Sequence, residues 1–274
     1  MNWGTMTRAE RDAAYDNLAA VSDSMALNTA RAAASAAWRA ARPGHLDLRY
    51  GPRERNLWDL YPAADPNAPC IVFIHGGYWQ RNSKDQFASL AGGLATHGWA
   101  AALPGHTLAP DATLTGIVAE IRAALDWLGA NGPAHGILGP VLLSGWSAGG
   151  HLTALALGHP AVTAGLAISG VYDLAPIRDT ALNVALELTD QEIERLSPLR
   201  LPVVQKPLAI AYGSDELPAL VWDSKHLYDA RQANNAPGQL LEIEGANHFS
   251  ILERLRRPDG ALVKLAREIL ASGT

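Results

Sequence analysis

Residues 127–172 contain no Asp, Glu, Lys or Arg. An uncharged run of that length has to be buried, which sharply limits the folds open to the chain. It is no bilayer span, because a spanning helix needs about 20 unbroken apolar residues, and here Gly132, Pro133, Gly139, Pro140, Gly145, Gly149, Gly150 and Pro160 intervene. Those breakers divide the run into short buried strands and helices. Residues 141–143 and 166–168 read as two of the strands, with a helix over 148–158 between them.

The same rhythm extends on both sides. Residues 70–74 (CIVFI) form a continuous apolar run rich in β-branched residues, as expected of a strand covered on both faces. Residues 99–103, 208–212 and 240–243 repeat the pattern, and helix-compatible segments lie at 85–97, 114–130, 217–235 and 259–271. Strands alternating with helices require crossovers, and hence an α/β fold with a mostly parallel central sheet and helices on both faces. Residues 56–61 alternate in polarity and predict a half-buried antiparallel strand near one edge. Length favours a single domain over residues 1–274. Within it, Ala-rich residues 1–42 read as an N-terminal helical arm. Residues 172–204, which break the alternation, read as a small cap insertion at the carboxyl edge of the sheet, where ligands bind in open α/β folds.

Charge narrows the partners. The formal net charge is −5 and the Lys and Arg residues are scattered, so no basic stripe is available for nucleic acid. Cys70 is the sole cysteine, which rules out an internal disulfide and fits a reducing compartment. Arg8, Glu10, Arg11, Asp12 and Asp16 precede any sustained apolar stretch. That order is unlike a secretory leader and gives the expectation of a cytoplasmic protein without membrane contact.

The chemistry is concentrated in turns that follow the strands. Gly145-Trp146-Ser147-Ala148-Gly149 reads Gly-x-Ser-x-Gly between a predicted strand and a predicted helix. In that context the turn presents a strained serine at the positive end of the helix. A serine hydroxyl needs a base, and the base needs an acid to orient it. His248 follows the last predicted strand and is the expected general base; Asp215, in the loop after strand 208–212, is the expected acid. Glu216 is its neighbouring rival. The glycine turn His75-Gly76-Gly77-Tyr78-Trp79 offers amides for an oxyanion hole from Gly76, Gly77 and Tyr78, with a further donor at Ala148. Tyr78, Trp79 and Trp146 are candidates for stacking on an aromatic leaving group. His-Glu-x-x-His and paired Cys/His spacings do not occur, so neither a metal nor another cofactor is expected.

Together with Ser169-Gly170-Val171-Tyr172-Asp173-Leu174 and Asn247-His248-Phe249, these motifs resemble the arylformamidase, or kynurenine formamidase, branch of the α/β-hydrolases, close to the hormone-sensitive-lipase-like carboxylesterases. The resemblance implies the α/β-hydrolase fold, a triad of Ser147, Asp215 and His248, and hydrolysis of a small-molecule N-formyl aryl amide or aryl ester. Gly105-His106-Thr107-Leu108-Ala109-Pro110 departs from the Tyr-Arg-Leu-Ala-Pro of esterase relatives, and Tyr78 stands where many have a third glycine. A bulky residue there predicts a small acyl group. A general short-chain carboxylesterase is the nearest alternative, and a non-catalytic receptor of the same fold the alternative of another class. As protein partner, only a homodimer is left open.

Overall fold

The computed structural model describes residues 3–273. Eight strands form one sheet: β1 His45–Arg49, β2 Leu57–Tyr61, β3 Cys70–Ile74, β4 Ala100–Pro104, β5 Val141–Trp146, β6 Ala164–Ile168, β7 Leu208–Gly213 and β8 Gly238–Ile243. Their order is β1-β2-β4-β3-β5-β6-β7-β8. The β1–β2 and β2–β4 pairs are antiparallel and the rest parallel. The order reverses between β3 and β5, which opens a crevice at their carboxyl ends.

Burial follows the pleat of each central strand. Cys70, Val72 and Ile74 enter one core with the helices Leu114–Asn131 and Pro218–Ala233. Ile71 and Phe73 enter the other, with Phe87, Leu90 and the helix Ala261–Ala271. The helix predicted over 85–97 is instead a 3₁₀ stretch, Lys84–Ala91, running into the short α-helix Gly92–Ala95. A side chain on Gly93 would come within 2.2 Å of the Leu255 carbonyl oxygen, so glycine is needed there despite its poor helix propensity.

Residues 8–41 carry three α-helices, α1 Arg8–Tyr15, α2 Asn17–Ala20 and α3 Ser24–Ala41. A capping box of Thr7 and Glu10 starts α1, and the Asp16 side chain caps α2. The arm corrects the reading of β2 as half-buried: Trp58, Asp59 and Leu60 are all 0% exposed. Trp38 of α3 packs edge-on to Tyr61 at 4.5 Å, and Arg39 Nε meets the Asp59 carboxylate at 3.0 Å. Lys84 Nζ lies 2.7 Å from both Asp47 and Asp59 and 3.0 Å from Asp85, so an ammonium fills the space among these three carboxylates. After β6, residues 172–204 carry three short helices, Ala175–Arg178, Asn183–Leu186 and Asp190–Leu196. None of the described helices is long and apolar enough to cross a membrane.

Candidate active site

Ser147 sits between β5 and the helix Ala148–Ala156 with φ 58° and ψ −120°. Such a conformation strains an L-residue and persists only where the surroundings enforce it. Here the Ser147 amide donates to Ile168 O at 2.8 Å, tying the turn to β6. The flanking glycines are dictated by contact: a Cβ on Gly145 would meet Gly149 O at 2.2 Å, and one on Gly149 would meet Ile74 O at 2.1 Å. The backbone therefore packs too closely for any side chain, and the serine is pushed to the carboxyl edge of the sheet.

The second turn lies beside the first because β3 pairs with β5, with Ile74 opposite Gly145. A Cβ on Gly76 would come within 2.6 Å of Trp146 O and 2.9 Å of Ser147 Cβ. Gly77, Tyr78 and Trp79 have positive φ in succession, at 118°, 50° and 59°. Asn82 Nδ2 donates to Gly76 O at 3.0 Å, and the Tyr78 hydroxyl donates to Tyr15 O at 2.7 Å while accepting from Asn17 Nδ2 at 2.9 Å. Side-chain tethers thus hold a strained loop next to the serine. Ala148 opens its helix, so its amide has no intrahelical acceptor.

His248 follows β8 and is 3% exposed. Its Nδ1 lies 2.9 Å from Glu216 Oε2. Glu216 Oε1 accepts in turn from the Ser169 hydroxyl at 2.5 Å and the Gly213 amide at 2.8 Å. This corrects the expected acid. Asp215 is exposed, its carboxylate taking only the Ser214 hydroxyl, at 3.0 Å. The cause is a turn in which the Glu216 amide donates to Gly213 O at 3.2 Å and Asp215 N to Ala246 O at 3.0 Å. It swings residue 215 outward and folds residue 216 back over the end of β7. Gly, Ser and Asp are the residues such a turn prefers; turn formation accounts for Asp215 and leaves Glu216, which turn chemistry does not call for, as the carboxylate to consider.

The aromatic candidates separate. Tyr78 and Trp146 line a cavity of about 890 Å³ whose wall also includes Ser147 and His248. Trp146 is 3% exposed; its Nε1 donates to His248 O at 2.8 Å and its ring lies 4.7 Å from the imidazole. It braces the histidine loop. Trp79 is a correction: 1% exposed and outside the cavity wall, it packs edge-on against His151 at 4.9 Å. Much of the remaining lining comes from the arm, including Tyr15, Asn17, Met25 and Arg31, while the cap supplies Thr180, Ala181 and Leu182.

Other histidines are set apart by burial. Loss of hydration drives His75 well below its ordinary value and His106 and His151 to about 4. His75 and His106 stack at 4.5 Å, and His151 Nε2 bonds Leu196 O at 2.7 Å. Asp173 caps its own turn through Ala175 N at 3.1 Å.

The strand order, the strained serine after β5 and the buried histidine after β8 make this chain a hydrolase with the α/β-hydrolase fold. The BD-FAE family model matches residues 59–164, which hold both the glycine turn and the serine turn. The kynurenine formamidase of Danio rerio is 27% identical over 82% of this chain and 81% of its own length. That of Drosophila melanogaster is 25% identical over 81% and 80%. Among solved structures, a Silicibacter protein described as a thioesterase aligns with TM-score 0.84 and 28% identity, covering 93% of this chain and 98% of that one. Esterase B of Lactobacillus rhamnosis, at TM-score 0.71 and 20% identity over 94% of this chain and 95% of its own, shares the fold. In sequence the chain is similar to kynurenine formamidases over about four fifths of its length, and in fold it is similar to esterases.

Proposed function

We propose that the chain hydrolyses small-acyl aryl amides and esters, N-formyl aryl amides of the N-formylkynurenine type above all, through an acyl-enzyme on Ser147. The observation that carries the reading is the buried Glu216–His248 pair, whose histidine lines one cavity with a serine in the strained turn. His248 removes the proton from Ser147 Oγ as it attacks the formyl carbonyl. Glu216 holds Nδ1–H, which fixes the tautomer and stabilises the imidazolium. Amides of Ala148, Gly77 and Tyr78, with Gly76 beside them, receive the oxyanion. His248 then protonates the departing arylamine, and water releases formate from the serine.

Tyr78 lines the cavity where a third glycine would leave room, which supports a formyl or acetyl group over a long acyl chain. The extended similarity to kynurenine formamidases supports the amide. Cys70, fully buried with its thiol pushed up to about 12 by desolvation, fits a reducing, cytoplasmic setting. The test compares kcat/KM for N-formylkynurenine, phenyl acetate and p-nitrophenyl esters from acetate to octanoate. Formamide and acetate are expected to lead. Turnover that rises towards octanoate removes the small-acyl reading, and turnover of esters alone replaces it with a short-chain carboxylesterase.

A further inference from the structure

A buried cation lines the cavity without a hydrogen-bonded or ion-paired partner among the described residues. Arg31, on α3, is 6% exposed, yet it forms no hydrogen bond or ion pair among the described residues. Its guanidinium carbon lies 4.3 Å from the centre of the Phe87 ring and 5.6 Å from that of Trp146. Its Nε is buried without an acceptor. The aromatic faces attract the cation but do not replace in-plane acceptors for its five N–H groups. An Nε–H buried without an acceptor is costly, and burial lowers the pKa of the guanidinium to about 10. Glu253 is the nearby acid that acts on it, and that carboxylate is already paired with Arg256 at 2.9 Å.

We infer that Arg31 is an anion subsite that receives a carboxylate carried on the leaving-group part of the substrate. Arg31 shares the cavity wall with Ser147 and His248, and Trp146 touches both the guanidinium and the imidazole ring. A ligand spanning the cavity can therefore engage the serine at one end and the guanidinium at the other. A planar carboxylate matches the guanidinium fork. The cavity wall also holds Asp12 and Asp16 against Arg31 and Arg81, so it suits a monoanion far better than a doubly charged phosphate.

This inference rests on the hydrolase reading, and its test separates the two. The probes are the three formamidobenzoates and the three 3-(formamidophenyl)propanoates, each paired with its neutral carboxamide. In the wild type, at least one acid is expected to exceed its amide about tenfold or more in kcat/KM, chiefly through KM; charge-assisted bonds to Arg give effects of this order. Arg31→Met should collapse that acid-to-amide ratio about tenfold, and Arg31→Lys should retain part of it. Binding is measured in parallel by calorimetry, using the corresponding aminoaryl acids with Ser147→Ala and Ser147→Ala/Arg31→Met; tenfold weaker binding is expected in the double variant. Ratios near one throughout, or ratios and binding indifferent to Arg31, overturn the subsite. If no formamide or ester turns over while the acids still bind through Arg31, the hydrolase reading fails and the subsite stands. Should Arg31→Met not fold, the ratio in Arg31→Lys decides.

Discussion

The two walls of the cavity are built by different means. On the sheet side, Ser147, Glu216 and His248 hang from the ends of β5, β7 and β8, fixed by main-chain contacts so close that Gly145 and Gly149 tolerate no side chain. On the arm side, Tyr15 and Asn17 meet the glycine turn through the Tyr78 hydroxyl, and Arg31 of α3 lies against Phe87 and Trp146. The difference teaches a division of labour. Geometry that must be accurate is made from backbone, and recognition is made from side chains on an appended element.

Breaking the sheet wall should cost most. Ser147→Ala is expected to lower kcat by about 10⁴-fold or more, with loss of labelling by a fluorophosphonate probe. Glu216→Gln should cost about 10³- to 10⁴-fold, whereas Asp215→Asn should stay within about threefold of wild type. Steady-state kinetics on the pair decide between the two carboxylates, and the reverse ranking restores Asp215. The arm wall should yield less. Asn17→Ala removes one of two tethers on Tyr78 and is expected to reduce kcat about tenfold, through a loosened oxyanion loop, with little change in KM. A change confined to KM would make Asn17 a substrate contact instead.

The smallest effect concerns stability. Burial holds His106 and His151 at about 4 in the folded chain and His75 well below its ordinary value of 6.5. On acidification the unfolded chain therefore takes up protons first, so their contribution is whole above about pH 6.5 and drains away as pH falls towards 4. Urea midpoints at pH 7.5, 5.5 and 4.5 should decline in that order; a flat series would mean that the three imidazoles are hydrated.

Legibility in the sequence follows the same division. The run at residues 70–74 matches β3 residue for residue, because a strand buried on both faces has no freedom to be polar. The serine turn was equally plain, since its glycines answer to local sterics. The acid was misread because residues 215 and 216 differ only in how one turn directs their side chains, and the residue type suited to the turn masked the one suited to the histidine. Trp79 was misread because adjacency to a functional loop does not determine which way an indole points. β1 went unnoticed because its residues are mostly exposed at the sheet edge. Arg31 carries no motif at all; its significance depends on where α3 lies against Phe87, a contact spanning 56 positions of sequence.

The cluster of Lys84 with three aspartates bears on how the arm is held. Arg39 at the end of α3 is locked to Asp59, whose carboxylate is wholly out of solvent and also holds Lys84. Withdrawing α3 would leave that dehydrated carboxylate with Lys84 alone, and a buried charge that loses part of its compensation is destabilising. That end of the arm is therefore anchored in the dry interior, whereas at its other end α1 rests on the cap through solvent-exposed contacts, Arg11–Asp179 at 3.3 Å and the Ala181 amide donating to Asp12 at 2.6 Å.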